Sequence, residues 1–199
     1  MNLFYLDKDL DKCAEYHVDK HIVKMPLEVA QLMCTTVWVD KHLGFTPRAL
    51  NKEERDYLNA LKKEIKHLPM EERPLTPYLP MMYNHPCTIW VRSSLDNYEW
   101  THCYGNALND EYNYRYAKQH KSIAEVVNKL PELLNCKRVG FTTFGLAMPE
   151  ELKDYDNPIQ AYRNYYHLDK ATFATWKFRD KPPWWNEDYA DYDKRITAK

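Results

Sequence analysis

The chain has 199 residues, a formal net charge of −1, 44% apolar residues and 29% charged residues. This length suits one domain with a single core over residues 1–199, and the composition excludes a disordered, fibrous or collagen-like chain. The near-zero net charge argues against a protein that coats nucleic acid through a broad basic surface, although a local anion site is compatible with it.

The start of the chain and the cysteines bear on location. Residues 1–20 carry charges directly after a short apolar start, so they lack the apolar region of a signal peptide. No apolar run approaches the roughly 18–20 residues that span a bilayer. The five cysteines are widely spaced and form no C-x-x-C pair, which fits reduced thiols. We therefore expect a cytoplasmic protein without a membrane partner.

Helical patterns account for most of the first half of the chain. Residues 3–6 fit either a short strand or an extended lead-in. Residues 10–39 predict a helix that is broken or kinked at Pro26, or two shorter helices in line. Residues 53–68 predict an amphipathic helix, and residues 69–83 a proline-rich connector.

The second half predicts three further helices, at residues 86–118, 122–134 and 158–178. Asn84 or His85 caps the first of them, and the proline that follows suits a first helical turn. Residues 140–149 are typical of a loop with apolar anchors, and residues 180–199 of an extended aromatic tail. The sequence therefore predicts a mainly α-helical bundle of about five to six helices.

The most informative segment is residues 16–31. At about 100° per residue, a helix places its polar residues on one narrow stripe with apolar residues on both flanks. The stripe comprises His17, His21, Lys24, Glu28 and Gln31. Because a helix apolar on both flanks tends to be buried all round, we expect the stripe inside the protein, where neighbours shift acid and base strengths.

This stripe supplies the candidate catalytic residues, which are His17, His21, Lys24 and Glu28. The alternative is an internal ladder of ion pairs that only holds helices together. Two histidines four residues apart can also share a metal ion, but the nearby lysines disfavour a dication and no H-E-x-x-H motif is present. We assign no metal ligand, and the sequence leaves any cofactor unknown.

Basic and aromatic residues elsewhere suit an anionic or aromatic ligand. A helix that starts at residue 86 presents free amides to an anion, and alternating tyrosine and arginine at 109–116 and 162–166 suit base stacking and phosphate binding. The candidate ligand-binding residues are Lys20, Asn84, His85, Arg92, Tyr112, Arg115 and Arg163. The alternatives are ordinary helix capping, surface ion pairs and tyrosine-rich packing.

Several motifs in this order resemble those of a family of small accessory proteins of tailed phages. They are Y-H-x-D-K-H-x-x-K-M at 16–25, N-H-P-x-x-x-W-x-R at 84–92, E-Y-x-Y-R-Y at 111–116, T-F-G-L-A-M-P at 143–149 and A-Y-R-x-Y-Y at 161–166. The resemblance covers nearly the whole chain and implies work in an infected host cytoplasm, where DNA modification, nucleotide metabolism and anti-defence are usual tasks. It transfers no residue role.

The leading hypothesis is an enzyme acting on a nucleotide, a nucleotide-derived signal or a DNA base. His17 or His21 would be the general acid or base, Glu28 would orient it, and Lys24 with Arg92 would stabilise phosphate. A buried lysine nucleophile, Lys20 or Lys24, is a further route. The alternatives are a non-catalytic sponge or inhibitor that sequesters a nucleotide messenger or host defence protein, and a purely structural protein. The oligomeric state stays open.

Overall fold

Residues 1–186, which the computed structural model describes, form six α-helices joined by loops and short 3₁₀ and π turns. The helices are α1 (Leu10–Glu15), α2 (Asp19–Leu43), α3 (Lys52–Ile65), α4 (Pro86–Val91), α5 (Leu95–Tyr116) and α6 (Pro158–Tyr165). These residues contain no β-strand, and residues 3–6 have no regular secondary structure, with Leu3, Phe4 and Leu6 buried. The prediction of a mainly α-helical bundle is confirmed.

The long helices α2 and α5 pack against each other at the centre of the core. A Cβ atom at Gly105 of α5 would lie 2.9 Å from Val29 Cγ1 and 3.2 Å from Ile123 Cδ1. Such distances are shorter than ordinary packing contacts, so the missing side chain lets α5 approach both α2 and the turn at residues 122–126. Most buried apolar residues belong to this one core.

The chain breaks between α1 and α2, at residues 16–18, and not at Pro26, which lies inside α2. Three carbonyls at the break accept hydrogen bonds from side chains distant in sequence. Arg115 donates to the carbonyls of Glu15 at 2.9 Å and His17 at 3.0 Å, and Trp176 Nε1 donates to that of Tyr16 at 3.0 Å. These carbonyls therefore need no helical amide, and the first helix can end there.

The Arg115 side chain is fully buried, and its charge is met by two carboxylates. Its Nε lies 2.6 Å from Glu111 Oε1 and its Nη1 lies 3.0 Å from Asp19 Oδ1. Arg179 also binds Glu111, at 2.7 Å. A buried guanidinium is tolerated only when its donors are paired, so this network joins α1, the start of α2 and the end of α5 into one unit.

The helix predicted for residues 86–118 is two helices, with a break at residues 92–94. Ser94 Oγ accepts from the Asp96 amide and caps α5, while the Leu95 amide donates to the Lys137 carbonyl at 2.9 Å. A capping serine offers the backbone an alternative to the continuing helix, and the contact with Lys137 is long-range. The break was not predicted because it depends on the contact between Leu95 and the loop that contains Lys137.

The helices predicted at residues 122–134 and 158–178 are shorter in the structure than the sequence predicts. The first is only a π turn at Ser122–Val126 and a 3₁₀ turn at Val127–Lys129. α6 passes into a π turn at Tyr166–Lys170 and a 3₁₀ turn at Ala171–Phe173. The loop predicted at residues 140–149 is confirmed, and the 3₁₀ turn Glu150–Leu152 follows it. Residues 187–199 of the predicted tail lie outside the described residues.

The amphipathic helix and the connector agree with the prediction within a few residues. α3 begins after Asn51, whose side chain and Glu54 form a reciprocal capping box. Residues 69–83 lack regular structure except for the 3₁₀ turn Met70–Glu72. Local rules were sufficient here because both segments are determined by capping residues and prolines that lie within them.

Within the described residues, one helix, α2, is long and apolar enough to cross a membrane by length and composition alone. The sequence analysis expected no such run. In the fold, 78% of its most apolar window is buried inside the protein, as in a core helix.

Replacing Arg115 by methionine should destabilise the protein by about 3–5 kcal/mol, because two buried carboxylates lose a partner while side-chain volume is roughly kept. The matched control is Arg138→Met, since Arg138 binds Asp96 and Glu99 at the surface. Its loss should cost at most about 1 kcal/mol. Urea unfolding of both variants checks this, and equal losses would contradict the role given to Arg115.

Candidate functional site

A cavity of about 230 Å³ opens beside the first half of α2. Three of the four candidate catalytic residues, His21, Lys24 and Glu28, form part of its wall. The rest of the wall comes from the start of the chain, from the loop at residue 147, and from the end of α6 and the turn after it, which contribute Tyr165 and Lys170. The helix thus supplies the polar stripe, and distant segments enclose it.

His21 is the best-placed titratable group of this cavity. Its Nδ1 lies 2.6 Å from the hydroxyl of the buried Tyr166, and its ring stacks on Phe4 with centroids 4.5 Å apart. Nε2 has no hydrogen-bond partner among the described residues. Burial, followed by electrostatic interactions with His17, Lys170 and Lys24, lowers the pKa of His21 to about 2. The imidazole is therefore neutral at physiological pH.

Glu28 is buried, and its carboxylate binds Lys24 and the start of the chain rather than His17 or His21. Its Oε1 lies 2.9 Å from Lys24 Nζ, and its Oε2 accepts from the Asn2 amide at 2.6 Å. The Met1 amine lies 3.9 Å from the same oxygen. Glu28 therefore holds the start of the chain and Lys24 at the cavity, and the residue that orients His21 is Tyr166 rather than Glu28.

Lysine amines lie around the cavity in exposed or half-buried positions. The Lys24 side chain is 65% exposed. Lys20 is also exposed, with its amine 4.9 Å from the centroid of the Phe173 ring. The Lys170 amine binds Tyr165 and Asp169; burial alone lowers its pKa, but these bonds outweigh burial and raise it. The burial that would activate Lys20 or Lys24 as a nucleophile is not present.

His17 lies below the cavity, in the break between α1 and α2. Its Nδ1 is 2.7 Å from the Cys13 carbonyl, so Nδ1 carries the hydrogen, and Nε2 accepts from the Tyr104 hydroxyl at 2.9 Å. Burial lowers the pKa of His17 to about 3, and the Arg115 charge acts in the same direction. Both ring nitrogens are satisfied, so His17 is a structural neighbour of His21, with ring centroids 6.3 Å apart.

Arg92 and Asn84 act as internal clamps and do not line this cavity. Arg92 is buried and donates to three backbone carbonyls, those of Thr46, Tyr83 and Arg48. Asn84 accepts from the Leu50 amide and donates to the Leu50 carbonyl. Because each of its three guanidinium nitrogens donates to a backbone carbonyl and it does not line the cavity, Arg92 is not placed to bind a phosphate there.

His85 borders a second, more open groove of about 550 Å³ between the first turns of α3 and the segment before α4. It caps α4, since its Nδ1 accepts from the Cys87 amide at 3.2 Å. Burial lowers its pKa to about 4, with a smaller contribution from the N-terminal amine. The sequence analysis left the cap open between Asn84 and His85, and the structure assigns it to His85, which lines a different cavity from His21.

The remaining candidates bind protein groups outside the cavity. Arg115 holds the helix break described above. Arg163 donates to the Leu6 carbonyl and binds Asp7 at 3.0 Å. Tyr112 packs against Tyr116 and His120, each with ring centroids 5.0 Å apart. Tyrosine-rich packing, the alternative given for this cluster, accounts for Tyr112, whereas Arg115 and Arg163 form ion pairs with carboxylates that the sequence did not predict.

Sequence reasoning missed the residues that complete the cavity. Phe4 comes from a segment that offered only apolar character, and Lys170 stands in no motif. Tyr165 and Tyr166 belong to the A-Y-R-x-Y-Y motif and could have been identified there. The pairing of Tyr166 with His21 spans 145 residues, so no local pattern predicts it.

The described residues hold no group of three or more His, Cys, Asp or Glu side chains arranged to bind a metal ion. Comparison with protein family models, with curated proteins and with solved structures finds no match for the chain. The resemblance to tailed-phage accessory proteins therefore stays a prediction.

Stability should fall as the pH drops from about 6.5 towards 4. The folded pKa values of His17 and His21 lie below the unfolded value of 6.5. In this range the unfolded chain binds protons that the folded chain does not, so acid favours unfolding by roughly 1.4 kcal/mol per pH unit for each histidine.

The His17→Gln variant isolates one of the two contributions. It should reduce the slope of unfolding free energy against pH between 6 and 4, measured by urea unfolding, whatever its effect at pH 7. His67→Gln is the control because His67 is exposed. An unchanged slope in His17→Gln would mean that His17 titrates normally in the folded protein.

Proposed function

We propose that the protein is an enzyme acting on a nucleotide, a nucleotide-derived signal or a DNA base, and that the cavity beside α2 is its active site. The proposal places it in the cytoplasm, which is the host cytoplasm if the chain is phage-encoded. The observation that carries it is His21: its Nδ1 is held by Tyr166 at 2.6 Å, and its Nε2 is left without a partner among the described residues.

His21 is the general acid of the proposed reaction, because a Tyr166 hydroxyl that donates to Nδ1 leaves the ring hydrogen on Nε2. A ring held through one nitrogen by a buried hydroxyl has a fixed orientation, as required for proton transfer. Lys24 and Lys170 supply positive charge at the same wall, which suits a substrate that carries a phosphate or develops negative charge. Glu28 and Tyr166 are positioning residues, since each acts through the group that it binds.

The first experiment is native mass spectrometry of gently purified protein, followed by incubation of any retained ligand and chromatography of the products. With a substrate in hand, His21→Gln should lower turnover by about 10²–10⁴-fold, the contribution of a general acid or base. Tyr166→Phe should lower it less and alter its pH profile. His67→Gln should leave it unchanged, and full turnover in His21→Gln would refute the proposed role.

The second candidate is a binding protein without catalysis, a sponge for a nucleotide messenger or an inhibitor of a host defence protein. The observation that favours it is the pKa of His21, which burial and neighbouring charges lower to about 2. Proton transfer is most efficient when the pKa of the catalytic group lies near the pH of the reaction, and the pKa of His21 lies far below physiological pH. Recovery of intact ligand after prolonged incubation supports the sponge, whereas a chemically altered product excludes it.

A further inference from the structure

We propose that the cavity binds the phosphate end of a nucleoside monophosphate, a phosphomonoester dianion, between Lys24, Lys170 and His21, and that the base stays outside. This inference rests on the proposed function and names the part of the substrate that enters. Three features of the cavity carry it: its charge, the state of its aromatic rings and its size.

The charges at the wall favour an anion. Two lysine amines and the carboxylate of Glu28 face the cavity. Both oxygens of that carboxylate already have partners, Lys24 and the Asn2 amide. Asp169 pairs with Lys170 from an exposed position, where water and salt screen it. Each amine therefore has one carboxylate partner, and the oxygens of an entering dianion provide acceptors for its remaining N–H groups.

The imidazole of His21 adds a neutral donor. We assign the Tyr166 hydroxyl as the donor to Nδ1, which places the ring hydrogen on Nε2, the nitrogen without a partner among the described residues. An Nε2–H group beside two amines forms a set of donors that suits phosphate oxygens. A neutral base, which presents donors as well as acceptors, complements this set less well than a phosphate, which presents acceptors and a negative charge.

The aromatic rings of the wall are already engaged with one another. Phe4 stacks on His21 with centroids 4.5 Å apart and lies nearly parallel to Tyr165 at 6.1 Å. The Lys170 amine lies 4.6 Å from the centroid of the Tyr165 ring. A bound base needs open ring faces on which to stack, and this wall instead offers polar groups.

The size of the cavity agrees with partial entry. At about 230 Å³ it is smaller than the roughly 300–1,000 Å³ of pockets that bury a whole drug-sized ligand. A phosphate and part of its sugar fit this space, and a complete nucleotide extends beyond it. Beside the cavity, the ring centroid of Phe173 lies 5.7 Å from that of His21, and the amine of the exposed Lys20 lies 4.9 Å from the Phe173 ring.

The test is calorimetric titration at low salt with deoxythymidine 5′-monophosphate, thymidine and inorganic phosphate. We expect the monophosphate and inorganic phosphate to bind, and thymidine to bind at least about tenfold more weakly. Lys24→Met and Lys170→Met should each weaken monophosphate binding about tenfold. Lys41→Met is the matched control, because Lys41 is exposed at the other end of α2.

Histidine NMR signals of the wild-type protein locate the ligand without any variant. Phosphate should shift the ring signals of His21 and leave those of His67 unchanged; a shift confined to His85 would place the ligand in the other groove and overturn the inference. Thymidine binding at His21 as tightly as the monophosphate overturns the inference and leaves the proposed function standing. No binding by any probe overturns the inference, and the turnover assays then decide the proposed function separately.

Discussion

The buried guanidinium of Arg115 is the constraint on which the rest of this structure depends. It donates to the carbonyls of Glu15 and His17 and binds the carboxylates of Asp19 and Glu111. Because two carbonyls at the end of α1 are satisfied by a side chain of α5, the chain can leave the helix after Glu15 and begin a new one at Asp19. The direction of α2, and with it the cavity, follows from this break.

The break also gives the two histidines of one sequence motif different roles. His17 falls in the break, where both ring nitrogens meet protein partners. His21 falls in the first turn of α2, where one nitrogen meets Tyr166 and the ring forms part of the cavity wall. Had the helix been continuous, both would have shared one face with Lys24 and Glu28. His17, whose two ring nitrogens both have protein partners, has a structural role. His21, with a partner on Nδ1 alone among the described residues, is the histidine that we propose to act on a ligand.

Helical periodicity predicted the part of this site that lies on α2, but it could not predict the parts that depend on neighbouring elements. Helical periodicity placed His21, Lys24 and Glu28 on one stripe, and the structure brings them to one wall. The same argument expected apolar flanks to bury the stripe all round, yet Val23 and Leu27 are 48% and 37% exposed. Periodicity identifies a face of a helix, but only neighbouring elements decide whether that face is covered. The clamp formed by Arg92 shows the same limit, since its three carbonyl partners come from two segments distant in sequence, at residues 46–48 and at Tyr83.

The sequence by itself determined the helical class, the amphipathic helix α3, the proline-rich connector and the polar stripe of α2. Each depends on residues within a few positions of one another, through hydrogen bonds and side-chain periods that are local. Only the tertiary structure decided where helices break, which histidine is satisfied and which lysine reaches the cavity. Those outcomes depend on contacts such as Arg115 with His17 or Tyr166 with His21, across 98 and 145 residues. Contacts of that range are set by how the whole chain packs, because the energy of burying a charge or a ring nitrogen depends on every element around it.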